Sequence, residues 1–222
     1  MRLTFLGTGT SIGVPAIGCQ CEVCRSSDPL DKRLRASVLL ETRGGLRVLI
    51  DCGPDFRQQI LSHFGKLDAV LLTHIHYDHV AGIDDLRPFC LFGDVDIYAQ
   101  NDVVEGLHHT MPYCFKEHLY PGVPHLRLHT VEPHKAIHVC REKSILAQFP
   151  ASGSNLEGVI NRQPTVVEVK PSTDEIDVIP IRVMHGQLPI LGYRVGTFAY
   201  ITDMKSIDDA EISYLEGVET LV

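Results

Sequence analysis

Within the 222-residue chain, the run His74-Ile75-His76-Tyr77-Asp78-His79 sets three imidazoles and a carboxylate inside six residues. An almost wholly apolar run, Leu67 to Leu72, precedes it and predicts a central strand covered on both faces. The carboxyl end of such a strand is where open α/β folds place ligand sites. Alternate residues of an extended segment point the same way, so His74 and His76 can reach one ion together. Asp78 and His79 fall beyond them and can reach a second. Imidazole with carboxylate suits zinc, manganese or iron better than calcium or magnesium. The competing reading is a polar surface loop that happens to be rich in histidine. Four potential ligands in six residues, directly after an apolar strand, disfavour it.

A second cluster, Cys19-Gln20-Cys21-Glu22-Val23-Cys24, offers three thiolates in a loop that also holds Gly13, Pro15 and Gly18. Tetrahedral zinc suits thiolate softness and geometry, and three ligands leave a position for a distant histidine or cysteine. Free or disulfide-bonded thiols are the alternative. Crowding of three of the seven cysteines in a chain with no export signal favours a metal. Cys52, Cys90, Cys114 and Cys140 are scattered and read as buried apolar thiols.

His-x-His-x-Asp-His-x-x-Gly, from His74 to Gly82, resembles the signature of the metallo-β-lactamase superfamily. The resemblance implies an α/β (α+β) fold, the four-layer αββα sandwich of that type. It also assigns residues. Asp51, in Leu49-Ile50-Asp51-Cys52-Gly53, matches an aspartate that supports the metal loop. His185, in Val183-Met184-His185-Gly186, matches the next ligand, and Asp203, in Tyr200-Ile201-Thr202-Asp203, the metal-bridging aspartate. A satisfied core histidine and a helix N-cap are the ordinary alternatives for these two. The family has one further histidine on a late strand, and none follows His185 here. The expectation is a chain that lacks the C-terminal strand and helix of the fold.

Gly7-Thr8-Gly9-Thr10-Ser11, the cysteine cluster and Asp84-Asp85-Leu86-Arg87-Pro88-Phe89 narrow the resemblance to the phosphodiesterase branch. The chain is similar there to the phosphoribosyl cyclic phosphodiesterases of the carbon–phosphorus lyase pathway, and more distantly to tRNA 3′-processing endonucleases. The match covers most of residues 1–100 and 175–205. It implies a structural zinc at Cys19, Cys21 and Cys24 and two divalent ions, zinc or manganese, at the histidine cluster. His74, His76 and His185 would hold the first ion, Asp78 and His79 the second, with Asp203 between them. A metal-bound hydroxide would then attack a small phosphodiester, cyclic ones included, with Asp78 as the catalytic residue that orients it or moves a proton. A thioester or lactam hydrolase on the same cluster is the rival enzyme. A non-catalytic, zinc-stabilised binding protein is the rival of another class. A di-iron redox role is disfavoured, because that branch has a glutamate where His76 stands.

The elements that must position these groups follow from patterning. Arg2–Leu6, Ala36–Glu41, Leu46–Ile50, Asp94–Ala99, Glu175–Met184, Leu191–Val195 and Thr197–Thr202 read as strands, with a hairpin turn at Thr42-Arg43-Gly44-Gly45. Helices are predicted over Asp55–Phe64 and Gly82–Phe92, and a last strand from Val218. The length suits one domain, 1–222, in which about 101–171 reads as an insertion of hairpins and loops, with β-like runs at Leu126–Val131 and Ala136–Cys140. Seven histidines in that stretch lack ligand spacing and read as solvated or locally bonded, and Tyr113 and Phe115 are candidates for a lid.

A net charge of −8 supplies no basic field for nucleic acid. No run of 18 apolar residues occurs, which argues against a membrane partner, and the short polar start at Met1 predicts a cytoplasmic protein. The expected partner is a small-molecule phosphodiester, with a homodimer by analogy to relatives.

Overall fold

The computed structural model describes residues 1–116, 118–120, 122–149 and 165–222. Six strands make the first sheet, side by side in chain order: β1 (Arg2–Gly7), β2 (Ser37–Glu41), β3 (Arg47–Ile50), β4 (Ala69–Leu71), β5 (Val95–Ala99) and β6 (Leu126–Thr130). β1, β2 and β3 run antiparallel, whereas β3 to β6 are parallel. Parallel pairing puts the ends of β3 and β4 on the same edge, which brings Asp51 to the segment that follows Leu71. The expected turn after Glu41 is present: the Thr42 hydroxyl accepts from Leu46 N–H at 3.0 Å. Gly45 there takes φ 91°, a left-handed value that favours glycine.

The second sheet has the order β13 (Thr220–Leu221), β12 (Phe198–Tyr200), β11 (Leu188–Val195), β10 (Ile176–His185), β7 (Ile137–Val139). It faces the first across a shared interior. Val38, Leu40, Val48, Ile50, Ala69 and Leu71 from one sheet pack with Val178, Leu191, Tyr193 and Tyr200 from the other. Alternate residues of the first sheet, including Leu39, Leu49 and Val70, face outward into a second core under the helices α2 (Phe56–Ile60) and α4 (Asn101–Thr110). A third, smaller cluster of Ile181, Val183 and Ile190 packs with Tyr214 and Leu215, beside the short helix Asp209–Ile212. Helix, sheet, sheet, helix is the αββα order that the resemblance implied. The helices are too short to hold themselves in water. Burial fixes them, each fully buried Leu or Phe contributing roughly 1.5–3 kcal/mol.

Two regions differ from expectation. Ile83–Phe92 is a run of 3₁₀ turns, in which Pro88 has no N–H to continue an α-helical ladder. The stretch 101–171 is more regular than hairpins and loops. It opens with α4, whose Val103 and Leu107 are buried four residues apart. β6 and β7 then join the first and second sheets, and, among the described residues, β8 (Ile145–Phe149) and β9 (Thr165–Val169) pair as a two-stranded sheet of their own. The part of that expectation covering 150–164 lies outside the described residues. No helix among the described residues is long and apolar enough to cross a membrane.

Candidate metal centre

The histidine segment leaves β4 at its carboxyl end and enters a one-turn helix, α3 (Tyr77–Val80). Tight backbone contacts hold that turn against the end of β3. Cys52 N–H donates to the His79 carbonyl at 2.8 Å, and Gly82 N–H to the Cys52 carbonyl at 2.8 Å. Side chains would block this approach. A Cβ on Gly53 would lie 2.0 Å from the Asp78 carbonyl oxygen, and one on Gly82 would lie 2.0 Å from that of Gly53. Glycine at both positions is therefore a packing requirement of the loop.

Beneath the loop sits Asp51, with 0% of its surface exposed. Its Oδ1 accepts from Thr73 N–H at 2.9 Å, both its oxygens lie within 3.0 Å of the Thr73 hydroxyl, and His79 Nδ1 is 2.7 Å from Oδ2. A carboxylate has no proton to give, so the single Thr73 O–H proton points to Asp51. The hydroxyl oxygen then accepts from His74 Nδ1, 3.0 Å away. These assignments follow from the network, and they leave Nε2 of both His74 and His79 directed at the same space.

His185 and Asp203 arrive there from the second sheet. One ligand atom each from His74, His76 and His185 lie within 4.8 Å of one another, as do those of His74, His79 and Asp203. Asp203 Oδ2 is 3.1 Å from His79 Nε2 and 3.7 Å from His74 Nε2, and Asp78 Oδ2 is 3.3 Å from His79 Nε2. His74 thus belongs to both donor groups, and Asp78 lies beside the second through His79. Asp203 is not a helix N-cap, since Asp208 precedes the nearby helix. Met184, beside His185, is tied to the segment after Asp203 through Lys205 N–H at 2.7 Å and the Ser206 carbonyl at 2.9 Å. Asp51 (φ 62°) and Asp203 (φ 54°) both occupy the left-handed region. That costs about 1–3 kcal/mol per residue, toward the low end for aspartate.

The electrostatics favour a cation. Burial works hardest against charge on His79, yet the carboxylates of Asp51, Asp203 and Asp78 outweigh it and raise this imidazole to about 10. For His74, burial and then the His79 charge lower it to about 4. The hydrogen bond from His79 holds Asp203 at about 2. Nδ1 of His185 is buried without a hydrogen-bond partner, a state that costs about 1–3 kcal/mol. Imidazoles and carboxylates with an orphaned buried nitrogen fit a divalent ion such as zinc or manganese.

The cysteine cluster, at the start of the one-turn helix α1 (Glu22–Arg25), also closes on itself. The three Sγ atoms of Cys19, Cys21 and Cys24 lie within 4.8 Å of one another, with Cys19 and Cys21 at 3.4 Å. Tetrahedral zinc with bonds near 2.3 Å would separate thiolates by about 3.8 Å. The Cys24 N–H and then the Cys19 thiol lower the Cys21 thiol, easing its ionisation. Among the other cysteines, Cys52 and Cys114 are buried as expected. Cys90 and Cys140 are only half-buried, and Cys90 Sγ accepts from His125 N–H at 3.2 Å. Cys90 thus packs against the core on one side and meets a polar contact on the other.

Against the outer side of the histidine loop lies a cleft of about 380 Å³, lined by Ile75, Tyr77, Val80, Met111 and Tyr113 among others. The Tyr113 hydroxyl donates to Asp84 at 3.0 Å, and Phe115 packs on His108 with ring centroids 4.4 Å apart. Several remaining histidines have local partners: His109 bonds the Glu105 carbonyl, His129 bonds Asp96, His134 bonds Glu211 and His138 bonds Asp177. Sequence reasoning overlooked Thr73. Its signal was a hydroxyl residue between an apolar strand and the first histidine.

Comparison with known proteins places this geometry. Residues 46–222 match the family described as "Beta-lactamase superfamily domain". A Porphyromonas gingivalis protein named octanoyltransferase is 42% identical over 222 residues, which are all of this chain and 38% of that protein. Coenzyme PQQ synthesis protein B of Xanthomonas oryzae pv. oryzae is 31% identical over 128 residues, 49% of this chain and 43% of that protein. The chain therefore spans about two fifths of the length of these curated relatives. Among solved structures, a diphosphatase from the PhnP family is 38% identical with a TM-score of 0.73, over 99% of this chain and 71% of that one. The short form of human tRNase Z is 19% identical with a TM-score of 0.56, over 97% of this chain and 73% of that one, a likeness of fold.

Proposed function

The chain belongs to the β-lactamase superfamily and has the fold of its metallo-hydrolases, and from that premise we propose that it is a binuclear phosphodiesterase acting on a small, cyclic phosphodiester. The observation that carries the reading is the pair of adjoining donor groups, His74, His76 and His185 in one and His74, His79 and Asp203 in the other, with Asp78 beside His79, over a buried Asp51–Thr73 support. The relative that favours phosphoryl chemistry is the 38%-identical diphosphatase.

His74, His76 and His185 would hold one ion, Asp78 and His79 the second, with Asp203 between them. When bound, two divalent ions, zinc or manganese, would neutralise phosphoryl charge and make water acidic enough to ionise near neutral pH. Asp51 and Thr73 keep the Nε2 atoms of His79 and His74 aimed inward, so ring rotation costs hydrogen bonds. Asp78, 3.3 Å from His79 and 14% exposed, is the carboxylate that would orient the nucleophile or move a proton. The cleft beside Tyr77 and Met111 would receive the part of the substrate that does not react. A third ion, a structural zinc, would sit on Cys19, Cys21 and Cys24. We place the protein in the cytoplasm, where thiols stay reduced, and as a homodimer; the charge of −8 argues against a nucleic-acid partner.

Hydrolysis of bis-(4-nitrophenyl) phosphate by the zinc-, manganese- or cobalt-loaded protein is the direct test. Turnover abolished by His76→Ala supports the reading, and no turnover with any of the three metals refutes it. The octanoyltransferase-named relative motivates a second reading, acyl thioester hydrolysis on the same cluster, although 62% of that protein lies outside the match. Release of free thiol from octanoyl-coenzyme A, with the diester untouched, would select it. A binding protein would carry an ion at the cysteines alone.

A further inference from the structure

Tyr193 lies on β11 in the interior between the sheets, with 0% of its surface exposed. Its hydroxyl donates to the Leu72 carbonyl at 2.6 Å. Two residues earlier on the same strand, Leu191 N–H donates to the Thr73 carbonyl at 3.0 Å. Leu72 and Thr73 are the two residues that connect β4 to His74. Their N–H groups stay with the first sheet, Leu72 bonding the Tyr98 carbonyl at 3.0 Å and Thr73 bonding Asp51 at 2.9 Å. Both their carbonyls turn across to the second sheet. The root of the histidine loop is thus clamped from two sides.

The same strand also fixes His185. β11 pairs with β10 so that Leu188 stands opposite His185 and Leu191 opposite Arg182. One strand therefore carries the register of the second-sheet histidine and grips the backbone that leads to the first-sheet histidines. We infer that Tyr193 is a positioning residue, whose hydroxyl sets the separation between the His74–His76 pair and His185. It touches neither a ligand atom nor substrate. The inference rests on the metal reading above and adds to it the part that holds its two halves in register.

The alternative is an ordinary core tyrosine whose hydroxyl has merely found a partner. The two differ in what Tyr193→Phe does, since the ring and its packing are kept. Zinc affinity of the histidine cluster would be measured by competition with a chromophoric chelator, alongside the visible spectrum of the cobalt form and thermal unfolding of the metal-free chain. Positioning predicts that Tyr193→Phe weakens the histidine-cluster ion by about tenfold or more, as loss of an outer support does, and alters its cobalt spectrum. The cysteine-loop ion should be unaffected. Val178→Ala, in the same interior, should lower the unfolding temperature with metal affinity unchanged. Incorporating 4-aminophenylalanine at position 193 returns a donor and should restore affinity. Wild-type affinity in Tyr193→Phe, or an equal loss in Val178→Ala, overturns the inference while leaving the metal reading intact. A wild-type chain that binds no ion at its histidines removes both.

Discussion

His79 Nδ1 lies 2.7 Å from Asp51 Oδ2, an interaction between a buried ring after β4 and a buried carboxylate at the end of β3. It spends one histidine nitrogen on the scaffold so that the other faces Asp203, 3.1 Å away. Asp51→Asn keeps the shape and tolerates the left-handed backbone, but its amide can offer a donor where His79 needs an acceptor. Metal affinity and kcat/KM should each fall by about 10–100-fold, measured by chelator competition and diester hydrolysis.

Thr73→Val should act on stability first. Its hydroxyl is the link between Asp51 and His74 Nδ1, and an apolar isostere leaves both buried groups short of a partner. We expect a loss of about 1–3 kcal/mol in urea unfolding of the metal-free protein. Thr73→Ser should recover most of it; an unchanged midpoint for Thr73→Val would contradict the network.

Gly82→Ala places a Cβ against the Gly53 carbonyl oxygen at 2.0 Å and against the Phe56 side chain at 2.8 Å. Backbone cannot yield as a flexible side chain does, so the variant should lose about 3 kcal/mol. A matched substitution, Gly93→Ala, meets no atom within 4 Å but sits at φ 97°, and its cost should be nearer 1 kcal/mol. Thermal unfolding of the two variants side by side ranks them.

Cys21→Ser separates the two metal regions. It removes the thiol that the Cys24 N–H favours as a thiolate. Total zinc by atomic emission should fall by one ion per chain, with the cobalt spectrum of the histidine cluster unaltered. Loss of every ion would show that the two sites fold as one.

Met111→Trp tests the cleft. Met111 lines it beside Ile75 and Tyr77, and a larger ring would fill much of the volume. For bis-(4-nitrophenyl) phosphate, KM should rise about tenfold with kcat little changed, whereas a methyl aryl diester should be less affected. Equal effects on the two substrates would mean that the cleft does not receive the second ester group.

The histidine cluster was legible because its information is local: His74 to His79 sit on one short segment, after a strand that apolar residues announce. His185 and Asp203 were found through motif resemblance, since nothing in their spacing ties them to residues more than a hundred positions earlier. Short apolar runs beside a clear turn signal, such as β2 and β3, came out within a residue or two, as did the longer β10. Ile83–Phe92 also came out within a residue, but as 3₁₀ turns, a helix type that apolar periodicity does not distinguish from α. α4 was missed in a stretch where histidines interrupt the apolar pattern, whereas the β-like runs Leu126–Val131 and Ala136–Cys140 hold β6 and β7.

By itself, then, the order of residues singled out the His74–His79 candidates and the strand that delivers them, since periodicity and ligand spacing act over a few residues. Only the tertiary structure decided how the two halves meet. The left-handed turns at Asp51 and Asp203, the Thr73 bridge and the Tyr193 bond to Leu72 depend on sheet register and facing. Tyr193 and Leu72 are 121 residues apart, and contact at that separation is a property of the packed sandwich, written in no short segment of the chain.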